Sequence, residues 1–386
     1  MKVEITARQV LIWLATGAAI ALVAGVLFAW SGLYNVAASS GHLAVTRAFL
    51  EFGMSSSVRT QSLGVSTRPL DDELAALGAG HFAAGCAPCH GSPADRANPI
   101  VRAMLPEPPN LVPRVGDWKD RELFWIVKHG IKYAGMPAWV SQNRDDEVWA
   151  LVAFLRKLPL ADTGTYERQT RRPDTDSGRA PEGILRHGVG TTALSACARC
   201  HDDATRTPVS AHVPHLGGQS ERYLLRALTD YASGSRESGI MQPVAAELSK
   251  SNMARLASYY ASLPPATATR TDEDAAGASA ALERGTSLAL EGRPDRAVPA
   301  CITCHGDSAS PSYPRLTGLS PIYLAKQLRL WRSGLRSETA HGKMMAAIAR
   351  RLDEKDIDAV ARYFGTRSRS VRPSAASAVD RPRGEP

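Results

Sequence analysis

The 386 residues hold six cysteines, and none lies outside a C-x-x-C pair: Cys86 with Cys89, Cys197 with Cys200, and Cys301 with Cys304. Nothing remains for a separate disulfide framework. No segment sustains the apolar–polar alternation of a strand, which leaves an all-α reading. No nucleic-acid motif occurs either. A formal charge of +8 would ordinarily raise nucleic acid as a partner, yet residues 71–160 carry 10 basic against 11 acidic side chains, so no patch gathers the excess. The surface reads as solvated and mildly basic, with no nucleic-acid partner. At 44% hydrophobic the chain has apolar matter for two or three folded domains.

Charge is missing altogether from one long run, the 21 residues Val10 to Trp30. As a helix rising about 1.5 Å per residue, it spans the roughly 30 Å hydrocarbon core of a bilayer once. Lys2 and Arg8 precede it, and the positive-inside rule keeps them in the cytoplasm. Residues 1–30 are therefore expected to be a cytoplasmic N-terminus and anchor in a bacterial inner membrane, with all that follows in the periplasm. A cleaved signal is the alternative, with Val36 and Ala38 as a weak cleavage site.

The cysteine pairs belong to a repeat. CAPCH at 86–90, CARCH at 197–201 and CITCH at 301–305 are each followed by a Pro-x-Leu element, beginning at Pro109, Pro214 and Pro314. Met136 and Met241 each lie 27 residues after their proline, and Met345 lies 31 after its own. Met136 to Leu155, Met241 to Tyr260 and Met345 to Phe364 are all intervals of 19, so one fold is used three times. Each interval ends in an apolar helical pattern, and Ser249 with Asn252 and Asp353 with Asp356 are expected to cap the second and third. A helix is expected before each cysteine motif as well. The resulting division is 31–70 connecting segment, 71–160 domain 1, 161–180 linker, 181–265 domain 2, 266–280 linker, 281–365 domain 3 and 366–386 disordered tail. The stretch around HLAVTRAFLEFGM in 31–70 is amphipathic, expected as a connecting helix or one that lies on the membrane or a partner subunit. The Pro-, Gly- and Thr-rich linkers predict three units strung flexibly.

Two cysteines at i and i+3 put both sulfurs on one side of a turn, where they can add across the vinyl groups of haem, and the next histidine then reaches the iron. Zinc would want four ligands from paired knuckles, and a thioredoxin-like site would want a βαβ context. The motifs thus predict three haem c groups, bound covalently by Cys86, Cys89, Cys197, Cys200, Cys301 and Cys304, with His90, His201 and His305 on iron. Matching register makes Met136, Met241 and Met345 the opposite ligands, which favour ferrous iron. Met344 rivals Met345, and His129 and His341 lie near enough to substitute. His215 reads as a surface residue, and His81, His187 and His212 as structural or solvent-facing.

Each copy resembles a class I cytochrome c domain: opening helix, CxxCH, proline, methionine, and a closing helix with aromatics. Copies two and three together are similar to the tandem dihaem cytochromes of bacterial respiratory chains. Copy one, with Gly135-Met136-Pro137 and Trp149, resembles monohaem domains fused to oxidase subunits. The resemblance covers roughly residues 72–365 and implies that the carbonyls of Pro109, Pro214 and Pro314 accept hydrogen bonds from the ligating histidines. One departure is Asp202, where the family has glycine after the histidine.

These readings together give a membrane-anchored trihaem cytochrome c that passes single electrons in the periplasm within a respiratory chain. No catalytic residue is assigned, because each iron receives two protein ligands and keeps no open position. The expected partners are redox proteins: an oxidase, a quinol-oxidising complex or a dehydrogenase. Alternatives are the cytochrome subunit of a membrane dehydrogenase complex and a haem enzyme such as a peroxidase. Between Lys326 and Lys343, five basic residues (Lys326, Arg329, Arg332, Arg336, Lys343) meet one acid, Glu338. That segment is expected to rim a haem edge and steer an acidic partner, or else to be a solvated helix face.

Overall fold

The uncharged run lies within α1 (Ala7–Trp30), 24 residues with no side chain buried. A mean hydropathy of 2.4 makes it apolar enough to cross a bilayer. The computed structural model describes residues 6–170, 191–203, 206–265, 275–306 and 308–367, and among them there is no named strand, only two isolated bridges. Lys2, His187, half of the first linker, most of the second and nearly all of the tail lie outside the described residues.

The amphipathic stretch folds as α2 (Ala44–Gln61). Its Phe49, Leu50 and Phe52 are exposed, while Val58 and the following Ser62 are buried where the end of α2 meets copy one. In copy one, Asp71 caps α3 (Asp72–His81) by accepting from the Leu74 N–H at 2.8 Å. Then come α4 (Asp120–His129) and the closing helix α5 (Asp145–Lys157), whose Val148, Leu151, Val152 and Phe154 are buried. α3 crosses α5 at Gly78, where a β-carbon would collide with the Ala150 carbonyl oxygen. The linker expected at 161–180 begins differently: 163–170 form α6 (Thr163–Thr170), and Tyr166 is buried with its ring 6.2 Å from Phe82 and 6.4 Å from Phe154. One aromatic residue in a polar stretch is enough to seat a short helix on an existing core.

Copy two is described from α7 (Thr191–Ala198) through α8 (Glu221–Ala232), α9 (Met241–Ala246) and α10 (Lys250–Ser262). Copy three has α11 (Ala275–Leu290), α12 (Pro321–Arg332), α13 (Ala340–Ala349) and α14 (Glu354–Gly365). Here Gly285 meets the Ala359 carbonyl as Gly78 meets that of Ala150, so copies one and three cross their opening and closing helices alike. Ser249 accepts from Asn252 N–H, and Asp353 from Asp356 N–H at 2.9 Å, as the sequence predicts.

A flexible string is not what forms. Leu74, Leu77, Ala150 and Ala153 of copy one share a buried cluster with Val213 of copy two. Glu73 accepts from the Ala211 N–H at 2.6 Å, and its carbonyl accepts from Ser210 Oγ at 2.8 Å. Gln219 of copy two and Arg315 of copy three exchange two hydrogen bonds, at 2.7 and 2.9 Å. Lys326 of copy three reaches Asp146 of copy one at 2.5 Å, so all three copies meet. Linker composition reports on the tether and says nothing of the surfaces it joins, which here are complementary.

Candidate functional site

In each copy the histidine of CxxCH turns its Nδ1 to a proline carbonyl: His90 to Pro109 at 2.9 Å, His201 to Pro214 at 2.9 Å, His305 to Pro314 at 2.8 Å. A carbonyl only accepts, so Nδ1 carries the proton and Nε2 keeps its lone pair, the tautomer that a metal-bound imidazole needs. Burial lowers the pKa of His201 and of His305, against the opposing pull of these proline carbonyls. Both imidazoles are therefore neutral near pH 7. Short turns, Ala87–His90 and Ile302–His305, and the end of α7 present the cysteines. Burial, then the neighbouring cysteine, pushes Cys86 and Cys197 up to about 12, and burial pushes Cys301 up to about 11. All three stay thiols, and among the described residues no three His, Cys, Asp or Glu side chains cluster as a metal site.

A cavity of about 290 Å³ runs between copies two and three, with Leu77, His81, Arg144 and Glu147 of copy one also in its wall. Its walls bring Cys197, His201, Pro214 and Met241 together, and on the other side Cys301, His305, Pro314 and Met345. A second cavity, about 90 Å³, adds Cys304, Met344 and His341 around the third copy. Met345 lines both cavities and is half-buried, whereas Met344 lines only the smaller and is 46% exposed. Met136 is half-buried at the end of a turn closed by the Ile131 N–H, which donates to its carbonyl at 3.2 Å. Of the rival histidines, the exposed His129 lies against Trp125, and His341 lies against Tyr313 with Arg226 3.3 Å from its Nε2.

The cavity walls hold donors that meet no carboxylate, with Arg236 donating to the Tyr323 hydroxyl at 3.5 Å and Arg336 to Gln327 Oε1. Trp331 Nε1 is buried with no partner. Arg236 and Arg336, each 22 residues after its Pro-x-Leu proline, are buried or nearly so and form no ion pair among the described residues. Burial, then the nearby Arg236, lowers the pKa of Arg336. Arginines without an acid partner and an unpaired indole N–H in a largely apolar wall suit a flat apolar ligand that brings its own carboxylates, as haem does. The residues present fit the group.

Two expectations need correction. Asp202 is 1% exposed and accepts from the Leu216 N–H at 2.5 Å and the Gly217 N–H at 3.0 Å. Its Oδ2 also lies 3.1 Å from Nδ1 of His215. It therefore staples the turn after His201 to the Pro-x-Leu element, and His215 is part of that staple rather than a surface residue. The departure from glycine was the only sequence signal, because the partner groups lie 14 and 15 residues away. The basic segment after Lys326 is not a free rim. Asp146 holds Lys326; Arg329 pairs with Glu354 at 2.9 Å and Asp358 at 2.6 Å; Arg332 pairs with Glu354; Arg336 is half-buried and donates to Gln327.

Residues 73–155 match the family model for cytochrome c oxidase, cbb3-type, subunit III. The crystal structure of reduced recombinant cytochrome c4 from Pseudomonas stutzeri aligns at 28% identity over 50% of this chain and 100% of that one, with a TM-score of 0.40. Cytochrome c4 of Pseudomonas aeruginosa is 34% identical over 189 residues, which cover 47% of this chain and 90% of that protein. The thiosulfate dehydrogenase electron acceptor of Stutzerimonas stutzeri (strain A1501) is 37% identical over 185 residues, covering 47% of this chain and 83% of that protein. With relatives at that level of identity and three CxxCH turns, the chain belongs to the cytochrome c family.

Proposed function

We propose that the chain carries single electrons through three covalently bound haem c groups in the bacterial periplasm, within a respiratory chain and held to the inner membrane by α1. The observation that carries this reading is the repeated lock of a CxxCH histidine on a proline carbonyl, at 2.8 to 2.9 Å in every copy. Haem supplies an iron that accepts and returns one electron without making or breaking a bond. The chain does the rest. Cys86 and Cys89, Cys197 and Cys200, and Cys301 and Cys304 tether the three groups. His90, His201 and His305 would hold the iron through Nε2 while Pro109, Pro214 and Pro314 fix their orientation, and Met136, Met241 and Met345 would supply the second protein ligand. Apolar walls exclude water and keep the change in charge off the surface. A histidine and a methionine on each iron would leave no open position for a substrate, which suits conduction of electrons.

Residues 71–170, 181–265 and 281–365 are the three haem units in this reading, with the second and third forming a pair around the shared cavity. The partners are redox proteins. One named relative is the electron acceptor of a thiosulfate dehydrogenase, which favours, as a second reading, a periplasmic or membrane dehydrogenase as the donor.

Reductive titration of the ferric holoprotein tests the proposal: three one-electron steps are expected, and two steps would refute it. Ferric haem with a methionine ligand has a weak long-wavelength band. Met136→Ala, Met241→Ala and Met345→Ala should each remove a share of it. If Met344→Ala removes the third share and Met345→Ala does not, the ligand is Met344.

A further inference from the structure

We propose that copy one positions the axial ligand of copy two, with Glu147 as the positioning residue acting through Ser238 on the turn that carries Met241. The inference rests on the reading of Met241 as a haem ligand, and it goes beyond that reading by placing part of one haem's ligand support in another copy.

The turn Glu237–Met241 is held almost wholly from outside its own copy. Glu147, on the closing helix of copy one, is 4% exposed. Its Oε1 accepts from Ser238 Oγ at 2.7 Å, and its Oε2 accepts from the Gly239 N–H at 2.6 Å. Since the Ser238 hydroxyl donates to Glu147, its lone pairs face back into the turn, where they accept from the Met241 N–H at 2.9 Å and the Ile240 N–H at 3.3 Å. One relay of hydrogen bonds thus runs from a carboxylate of copy one to the backbone of Met241.

The carboxylate is itself fixed. Arg144 meets Glu147 at 2.7 Å and donates to the Glu237 carbonyl at 2.7 Å, and Asp146 holds the same guanidinium at 2.9 Å. Ser141 and Asn143 reach the Glu237 carboxylate at 3.1 and 3.3 Å. The ring of Trp139 occupies the space where a β-carbon at residue 239 would stand. Only copy two has glycine two residues before its methionine, since Ala134 and Lys343 hold that place in the others.

Copy three shows the alternative. Its methionine helix, α13, is capped from within by Thr339, whose Oγ1 accepts from the Gly342 N–H at 2.9 Å. Copy two has replaced that internal cap with Ser238 and a carboxylate borrowed from copy one. The groups that position a metal ligand tune the metal, so the seating of copy one would bear on how Met241 is presented to the haem of copy two.

The test uses the full holoprotein carrying Glu147→Gln or Ser238→Ala, with haem content checked by mass. Losing one hydrogen bond of the relay should speed hydrogen exchange at the Met241 amide about tenfold, leave the Gly342 amide of copy three unchanged, and weaken the share of the methionine band that Met241→Ala removes. Glu147→Gln keeps the shape and one acceptor, so it reports even if larger changes fail to fold. Unchanged exchange at Met241 in both variants overturns the proposal. If exchange rises while Met241→Ala itself leaves the band intact, the ligand assignment beneath the proposal is what fails, and copy one then holds a turn that carries no ligand.

Discussion

Glu147 of copy one reaches into copy two as a buried carboxylate with an arginine behind it, whereas Gln219 of copy two meets copy three as a neutral amide trading hydrogen bonds with the Arg315 backbone. The first junction is asymmetric and charged. At the second, related residues of two related copies face each other: Tyr223 and Tyr323, Arg236 and Arg336. The difference follows from what each copy brings to the common cavity. Copies two and three face each other across it with arginines that meet no acid among the described residues, so their junction leans on neutral groups. Copy one adds Leu77, His81, Arg144 and Glu147 to the wall of the same cavity, and it is held to copy two by a buried charged network.

Breaking the charged junction should cost most. Glu147→Ala leaves Arg144 with Asp146 as its one remaining acid and leaves two buried donors of copy two without their acceptor, and removal of one partner of a buried pair costs up to about 3–5 kcal/mol. Gln219→Ala removes two neutral hydrogen bonds and should cost about 1–3 kcal/mol. Urea midpoints of the two variants would order them, and equal losses would erase the distinction between the junctions.

Acid should weaken the first junction. His81, 4.8 Å from the Trp139 ring, is held by burial to a pKa of about 4, against 6.5 in an unfolded chain. As pH falls the unfolded form takes up that proton first, so stability is full above 6.5 and drains between 6.5 and 4, by up to about 3 kcal/mol. His81→Phe should flatten that part of the stability profile. The Lys326–Asp146 contact should survive the same range, because Lys326 and Arg144 outweigh burial and hold the Asp146 carboxyl well below its usual range.

The smallest effect is expected at the surface. Arg329 and Arg332 spend their charge on Glu354 and Asp358, so changing both to Gln should cost under about 1 kcal/mol per pair. Electron exchange with partner proteins should keep its salt dependence, and a clear loss of salt dependence would restore the basic rim.

What the sequence disclosed was whatever is local or repeated. The CxxCH turns, the caps at Ser249 and Asp353 and the closing helices depend on neighbours within a few residues, and the proline and methionine registers emerge from three aligned copies. What stayed hidden depends on distant partners. Glu147 lies 91 residues from Ser238 and reads as one more acid at a helix start. Lys326 and Arg329 looked like a patch because the acids that pair with them, Asp146 and Glu354, sit on other elements. Tyr166 gave one apolar position in a polar stretch, too little to mark a helix.

The central claim is that all three turns carry haem, in one body and on one chain. Intact mass of the full protein, matured with a c-type assembly system and followed by peptide mapping, tests it most directly. The account predicts three haem additions, one each on the peptides that contain Cys86 and Cys89, Cys197 and Cys200, and Cys301 and Cys304. A uniform population with two haems and one unmodified pair would contradict it.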